Sequence, residues 1–445
     1  MRQRCSMQRI INGIREFLPL GAREAGVVFM GDVSAKLLTF LITLWMMSLL
    51  TAEDYKLYGL FITVLATINQ FTDSGIQQSF IRFYSLYKNS DPDRAKAHFQ
   101  MAIRIKSLLI LITAIVLYYG AEFLAVSLLR TPELVMPLKI MTIAIIGGGM
   151  MEFILAVLQA RQEFIRFTIV RVTEAAIKTG TIYVGILVGA FSLTFVYSAY
   201  AAAPVIVAAV GLLAFRALRG AAAYDWKEIT REIWSFGKWM MVTSFATMFL
   251  MRLDVFMVTP MLADSPAEAG IYIAAARLCT PLIVLVGSVS TVFFPKAMEL
   301  RTVADMRHYV KRTFIVTLPV TGIGLAYLFV MHLAVPHFFE KYVDALPMFS
   351  VLFIGYAWTI IGNPLTMLIL SIGRARVATY IALIQLPVTL LSHYLFIGSM
   401  GSMGAAISSI IVWFAAGFAS LLYIYLHRQE ITSAVPDATA EPVSE

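Results

Sequence analysis

The composition of this chain of 445 residues excludes a soluble globular protein. Hydrophobic residues make up 59% of the chain and charged residues only 14%, whereas a soluble domain carries about 25% charged residues. A surface so poor in charge has to face lipid, and at ~20 apolar residues per span about twelve membrane spans fit this length. The formal net charge is +8, but the basic residues lie in short segments between apolar stretches. That placement indicates membrane topology and not nucleic-acid binding.

The N-terminal segment, 1–25, precedes the first long apolar stretch. Ile10, Ile14 and Phe17 recur there at helical spacing beside basic residues, which predicts an amphipathic helix on the cytoplasmic membrane surface. Cys5 lies in this segment and Cys279 inside a later apolar stretch, so neither suggests a disulfide framework or a metal site. No cofactor is expected.

Apolar stretches predict twelve transmembrane helices, because only helices or closed barrels satisfy the backbone inside a bilayer. Their predicted bounds are 26–50, 58–81, 105–129, 137–160, 170–190, 193–215, 239–262, 270–294, 313–335, 346–370, 377–397 and 403–426.

The spans group into two halves of six. We predict an N-terminal lobe at 26–215, a cytoplasmic linker at 216–238 and a C-terminal lobe at 239–426. The polar stretch 427–445 is predicted to be a disordered cytoplasmic tail.

Basic residues predict the orientation of the spans. With the N-terminus in the cytoplasm, the outside loops hold only Lys56, Arg130, Lys139 and Lys341, and all other loop arginines and lysines face inward. This bias predicts that both termini are cytoplasmic.

A weak internal repeat relates the two halves. Gly59 in the second span and Gly270 in the eighth are 211 positions apart, and Arg161 and Arg374 are 213 apart. Six spans per half preserve orientation, so the halves would be parallel repeats, an arrangement common in transporters with the substrate site between the lobes. The predicted fold class is an all-α polytopic membrane protein with two pseudo-symmetric six-helix lobes around a central cavity.

Glycines and a proline occur at repeat-related positions of two spans. Gly147, Gly148 and Gly149 lie in the fourth span, and Gly362 and Pro364 in the tenth. Such positions are typical of helices that line a site and move. The alternative is close helix packing through small residues.

Charged residues inside spans indicate function, because each is costly in lipid. Asp32 with Lys36 and Glu174 with Lys178 are acid–lysine pairs one helical turn apart, the favourable order for an ion pair. These pairs could therefore serve only to stabilise helices.

Further charges lie in other spans. The seventh and eighth spans contain Arg252, Asp254 and Arg277, while Asp73 and Glu152 lie near inner span ends. Asp254 could be the ion-pair partner of Arg277. We expect Lys36, Lys178, Arg252 and Arg277 to be substrate-binding cations, and Asp32, Asp73, Glu174 and Asp254 to be coupling or pairing acids.

Catalytic motifs are absent from the sequence. Gly237-Lys238 is followed by Trp239 and lacks the upstream glycine of a phosphate-binding loop. His393, inside the eleventh span, is expected to be a packing residue. We therefore expect a protein that is not an enzyme.

Short motifs resemble those of a known family. Gly31-Asp32 in the first span, Tyr58-Gly59-Leu60-Phe61 opening the second, and Asp73-Ser74-Gly75 followed by Arg82 resemble the Wzx-like polysaccharide flippases of the MOP superfamily. The resemblance implies an inward/outward rocking transporter in the bacterial inner membrane. It also implies an undecaprenyl-pyrophosphate-linked oligosaccharide as substrate, with cationic side chains binding the head group.

The resemblance further implies partners and an energy source. Besides membrane lipids, these are polysaccharide polymerase and chain-length proteins, and coupling to protons or sodium. The four candidate cations are assigned by span and depth and not by a shared motif. The chain departs from the family's pattern in that Lys36 and Lys178 each have an adjacent acid, which could neutralise the lysine.

Two alternatives remain open. A cation-coupled multidrug exporter of the same superfamily is one, since Asp32 resembles the proton-coupling acid of that group, although an excess of cations would repel cationic drugs. A membrane glycan polymerase or ligase is the other, although the predicted outer loops are short.

Overall fold

The computed structural model describes residues 20–73, 75–214, 225–298, 303–371 and 375–426. The amphipathic N-terminal segment, Cys5, Arg374 and the C-terminal tail lie wholly or mainly outside these residues. The α-helices are α1 Leu20–Leu49, α2 Ala52–Asp73, α3 Ile76–Tyr87, α4 Pro92–Glu122, α5 Val135–Ala160, α6 Phe164–Leu187, α7 Leu193–Ala214, α8 Trp226–Leu250, α9 Leu253–Met261, α10 Pro266–Leu278, α11 Thr280–Met298, α12 Val303–Phe338, α13 Ala345–Ser371 and α14 Ala375–Leu426. A π-helical turn follows α4 at Phe123–Leu128, and 3-10 turns occur at Pro132–Leu134 and Glu340–Tyr342.

The second predicted span differs most from its helix. α2 begins at Ala52, six residues before the predicted start, because Thr51 and Asp54 cap its first turn: the Asp54 N–H donates to Thr51 Oγ1 at 3.2 Å and the Thr51 hydroxyl donates to Asp54 Oδ2 at 2.8 Å. The helix then ends before Gly75, whose φ of +80° favours glycine. Hydrophobic patterning detects neither a polar first turn nor a positive φ at a glycine.

Two further regions of the chain contain an interruption of the helix. The seventh span is divided between α8 and α9, with Arg252 as the N-cap of α9. The eleventh and twelfth predicted spans are the two arms of α14, and a bend of non-helical backbone at Gly401, where φ is +59° and ψ −139°, separates the arms at the predicted position. At this bend the Ser402 N–H donates to Glu268 Oε1 at 2.8 Å, which ties α14 to the first turn of α10.

Eight segments of the described residues are long and apolar enough to cross a membrane. One of them, Leu383–Tyr423, covers the eleventh and twelfth predicted spans together. The second, fifth and seventh predicted spans are helical but fall outside this set; they contain polar or charged residues such as Asn69, Arg171 and Arg252.

The chain divides into two compact units. Unit 1 comprises Met1–Ile42, Phe71–Tyr119 and Lys139–Met241, and unit 2 comprises Thr43–Gln70, Gly120–Leu138 and Val242–Glu445. The sequence-based lobe and linker boundaries remain a prediction.

Unit 1 has an aromatic core built by α3, α4 and α5. The rings of Phe80, Phe99 and Phe153 lie with centroids 5.4–6.3 Å apart, and all three side chains are buried. The amphipathic start of α8 joins this unit through Ile229 and Ile233, which pack on Ala97 of α4. The first turns of α8 are thus a fixed part of unit 1.

Unit 2 centres on α13, which packs against α10, α11, α12 and α14. Phe293 and Tyr309 meet edge to face at 5.5 Å within one apolar cluster. The Tyr309 hydroxyl donates to the Pro364 carbonyl at 2.9 Å. These contacts join α11, α12 and α13 into a single packed group.

Candidate functional site

Charged side chains from four helices gather within unit 1. We call this set the N-terminal charge cluster; it consists of Asp32, Lys36, Lys106, Glu152, Arg171, Glu174 and Lys178. Asp32 of α1 pairs with Lys36 at 3.2 Å, as expected from their spacing, and also with Arg171 of α6. The Asp32 carboxylate is therefore shared between two cations.

The second predicted pair lies on α6. Lys178 Nζ is 2.9 Å from Glu174 Oε1, with side chains only 10% and 15% exposed. The same ammonium lies 4.9 Å from the centroid of the Tyr200 ring, a distance at which the ring face attracts a cation. Lys178 is thus held by both an acid and an aromatic ring.

Lys106 of α4 is the most buried cation of the cluster, with 1% exposure. It donates a hydrogen bond to the Thr72 carbonyl at 3.0 Å. Glu152 of α5 interacts electrostatically with Lys106 and Arg171 by attraction, and with Glu174 and Asp32 by repulsion. These interactions connect the two ion pairs and Lys106 into one cluster.

Four cations and three acids form the cluster, so it has one excess positive charge. Sequence reasoning missed Lys106 and Arg171, because both lie near predicted inner span ends, where basic residues act as topology signals. The spacing of Arg171, three residues before Glu174, was the only signal in the sequence. The side chain of Asp73 lies outside the described residues.

Unit 2 contains a second set of polar and charged side chains. Asp254 of α9 accepts a hydrogen bond from the Tyr272 hydroxyl of α10 at 2.8 Å. Arg252 is attracted by Asp254 and repelled by Arg277. The two arginines therefore lie within electrostatic range of each other.

Arg277 has partners on α2. Its guanidinium donates to the Gly59 carbonyl at 3.2 Å and to Thr63 Oγ1 at 2.9 Å. Because the Thr63 hydroxyl itself donates to the Gly59 carbonyl at 2.8 Å, Thr63 receives the arginine with a lone pair. Arg277 thus links α10 to α2, and the structure gives it partners other than Asp254.

Close packing of glycines accompanies this link. A methyl group on Gly59 would overlap the side chain of Ile273, and one on Gly270 would overlap the backbone oxygen of Ala52. We call this surface the α2–α10 contact. Its two glycines are the repeat-related pair of the sequence, so each half contributes its equivalent glycine to one contact.

Tyr342 adds a further link between the two halves of the chain. Its hydroxyl lies 3.1 Å from the carbonyls of both Leu50 and Thr51, and its ring meets Tyr55 at 5.3 Å. All of these groups belong to unit 2. They connect the start of α2 to the turn before α13.

The candidate hinge residues lie in continuous helices. α5 passes through Gly147, Gly148 and Gly149, and α13 passes through Gly362 and Pro364, without a break. A methyl group on Gly147 would overlap the backbone of Val205 in α7, as expected for close helix packing. Their role as hinges remains a prediction.

A family model described as polysaccharide biosynthesis protein matches residues 22–300. The chain belongs to the polysaccharide biosynthesis protein family. No match was found among curated proteins.

Solved structures share the fold across nearly the whole chain. The lipid II flippase MurJ in an inward closed conformation has a TM-score of 0.71 and 15% identity, covering 91% of this chain and 90% of that one. An inward-facing multidrug resistance MATE family transporter of the MOP superfamily has a TM-score of 0.69 and 16% identity, covering 90% and 95%. A MOP superfamily transporter from Pyrococcus furiosus has a TM-score of 0.60 and 15% identity, covering 93% and 95%.

These comparisons confirm the predicted fold class and the resemblance. This member of the polysaccharide biosynthesis protein family is an all-α, multi-pass membrane protein with the two-lobe fold of MOP superfamily transporters. At 13–17% identity the solved structures indicate the fold alone. The assignment of individual site residues therefore rests on the geometry of this chain.

Proposed function

We propose that the protein flips a polyprenyl-pyrophosphate-linked oligosaccharide from the cytoplasmic to the outer leaflet of a bacterial inner membrane by alternating access. Its family is one of polysaccharide biosynthesis, and its fold resembles that of a flippase for lipid II. Both termini lie in the cytoplasm in this proposal, and polysaccharide polymerase and chain-length proteins are the expected partners.

The N-terminal charge cluster is the observation that carries the proposal. Charged groups inside a membrane are retained for function, because each costs several kcal/mol unless it is paired or hydrated. The cluster exceeds neutrality by one cation, and Lys36 is its most accessible member, with 43% of its side chain exposed. An anionic pyrophosphate would supply the missing negative charge.

Arg252 and Arg277 are the proposed head-group contacts in unit 2. An arginine offers a planar fork of donors that fits two phosphate oxygens, and the mutual repulsion of these two would be relieved by an anion beside them. In the described conformation Arg277 is bound to α2. Opening the α2–α10 contact would free its guanidinium for the substrate.

A multidrug exporter is less well supported by the geometry. Such a role needs an acid that can bind a proton or a cationic drug, but Asp32 is already shared by Lys36 and Arg171. A carboxylate whose charge is already balanced by two cationic partners attracts a third cation only weakly.

Flipping in proteoliposomes tests the proposal. We expect the protein to flip a fluorescent undecaprenyl-pyrophosphate oligosaccharide, and Lys36→Gln to slow flipping at least fivefold because the excess charge is removed. Arg166→Gln is the matched control, since Arg166 is an exposed cation of the same unit outside the cluster. Export of a cationic drug without flipping of the glycan lipid would instead favour the multidrug exporter.

The proposed orientation has its own test. Single cysteines replace Asp264 and, in a second variant, Arg374, in a background without Cys5 and Cys279. We expect a membrane-impermeant thiol reagent added to intact cells to label the first position only. Labelling of both positions, or of the second alone, would contradict the proposed topology.

A further inference from the structure

A buried polar network crosses the C-terminal half of the chain around His393. This histidine lies on α14 before the bend at Gly401, and Ser408 and Ser409 lie on the same helix after the bend. His393 is 2% exposed, Ser408 0% and Ser409 4%. Three polar side chains so far from solvent and inside an apolar helix require hydrogen-bond partners.

The partners of His393 present oxygen atoms to both ring nitrogens. Nδ1 lies 2.9 Å from the Thr389 carbonyl and 2.9 Å from Ser408 Oγ. Because a carbonyl can only accept, Nδ1 carries a hydrogen. Nε2 lies 3.4 Å from Ser409 Oγ.

The hydrogen of Ser409 is already engaged elsewhere. Its hydroxyl donates to the Ala405 carbonyl at 3.0 Å or, after rotation, to the Tyr272 oxygen, and in either case a lone pair of Ser409 faces Nε2 of His393. A neutral imidazole needs a donor at one of its nitrogens, whereas a protonated imidazole donates from both. The arrangement therefore fits the protonated ring, whose Nε2–H would donate to Ser409.

An acid compensates the charge that a proton would bring. Burial disfavours a charge on His393, and attraction by Asp254 offsets part of that cost. Asp254 accepts the Tyr272 hydroxyl at 2.8 Å, so in its contact with Ser409 the Tyr272 oxygen accepts the serine hydroxyl. The network thus runs from Asp254 through Tyr272 and Ser409 to His393. Among the described residues, the charged and titratable side chains on the helices packed against this network include Arg252, Asp254, Glu268, Tyr272, Arg277 and Tyr356.

We propose that His393 is a proton-binding site, and that its protonation at Nε2 couples a proton gradient to transport. The coupling part rests on the proposed function. Protonation adds a hydrogen bond across the bend of α14 and a cation facing Asp254 of α9. It therefore favours one packing of α9, α10 and the two arms of α14, and loss of the proton favours another.

A proton suits this site better than a metal ion. The described residues contain no group of three His, Cys, Asp or Glu side chains that could hold a metal. The hydroxyls around the ring are those of serines, which are weak ligands beside carboxylates. The coupling experiment below therefore also applies a sodium gradient, so that coupling to sodium would be detected.

Proton binding can be measured without any substrate. The full-length protein in lipid nanodiscs is titrated between pH 5 and 8, and the protons bound by the wild type are compared with those of His393→Gln. We expect the variant to bind close to one proton fewer. His332→Gln is measured alongside as a variant that lacks a histidine outside the network. Equal proton uptake by the wild type and His393→Gln would mean that His393 does not change its protonation between pH 5 and 8 and would overturn the proposal.

Coupling is tested in proteoliposomes containing a pH dye. With the wild type we expect an imposed proton gradient to accelerate glycan-lipid flipping and the lipid to stimulate proton flux. In His393→Gln the acceleration by the gradient should be at least tenfold smaller than in the wild type, at wild-type membrane abundance and melting temperature. Unchanged acceleration in a folded variant, or a sodium gradient acting equally well, would refute coupling at His393. Absence of any flipping by the wild type would refute the proposed function instead, and the titration would still decide proton binding.

Discussion

Replacement of Arg277 by alanine is predicted to open the α2–α10 contact. The substitution removes both hydrogen bonds from the guanidinium to α2, those to the Gly59 carbonyl and to Thr63 Oγ1. It leaves the glycine packing and the Tyr342 link in place. We therefore expect a shift between folded conformations and not a loss of folding.

The magnitude follows from the partners that remain. A hydrogen bond to a charged group contributes about 1.5–3 kcal/mol. The Gly59 carbonyl keeps its bond from Thr63, so no buried acceptor is left unpaired and the lower end of the range applies. Two such bonds amount to roughly 3 kcal/mol. Their loss raises the ratio of open to closed contact about 100-fold relative to the wild type.

Distance measurements between spin labels test this prediction. Labels at Glu53 and Asp264, both at the outward-predicted ends of the helices, are compared in wild type, Arg277→Ala and Arg277→Lys, in a background without Cys5 and Cys279. We expect a longer distance to dominate in Arg277→Ala and a mixture in Arg277→Lys, since lysine keeps the charge but not the fork.

The matched control and the refuting result are equally direct. Arg166→Ala removes an exposed arginine of unit 1 and should leave the distance distribution unchanged. Delivery of the glycan should fall in Arg277→Ala at normal membrane abundance. An unchanged distance distribution with normal delivery in Arg277→Ala would refute both the link and the head-group role of this residue.

Three further predictions concern packing and charge. Gly270→Ala should lower the melting temperature in detergent by several degrees, because the new methyl overlaps the backbone of α2, whereas Gly180→Ala, with open space around it, should not lower it. Arg171→Ala should reduce flipping more than tenfold and Lys36→Ala less than Arg171→Ala, because Arg171 also holds Glu152 of the cluster; equal effects would contradict the shared role of Arg171. Gly401→Ala should destabilise the protein by about 1–3 kcal/mol, since alanine rarely adopts its φ and ψ and the new methyl would overlap the Glu268 carboxylate; an unchanged denaturation midpoint would contradict this.

Apolar patterning predicted the helices well because lipid imposes one rule on every span. It failed where local backbone chemistry decides the boundary. The start of α2 depends on the cap formed by Thr51 and Asp54, the end of α2 on the conformation at Gly75, and the division of the seventh span on the backbone at Arg252. These are properties of single residues, and no average over a window of apolar residues can detect them.

The candidate site was only partly predictable for a different reason. Pairs within one helix follow from spacing, and both Asp32 with Lys36 and Glu174 with Lys178 are paired in the structure. Partners on other helices do not follow from spacing. The contact of Arg171 with Asp32 crosses from α6 to α1, and that of Arg277 crosses from α10 to α2, so both depend on helix packing.

The repeat-related glycines explain why the Arg277 link is a separable part of the α2–α10 contact. Gly59 and Gly270 are 211 positions apart, so the packing draws on equivalent positions of both halves. The same offset relates Arg277 to Ala66 and Thr63 to Ala274, and neither alanine can form a hydrogen bond with its side chain. The glycine packing is therefore shared by the two halves, whereas the hydrogen-bonded link has its charged donor, Arg277, on α10 and no equivalent donor on α2. Loss of Arg277 removes this link and keeps the glycine packing, so Arg277→Ala should shift the protein toward the open contact while the closed packing stays accessible to it.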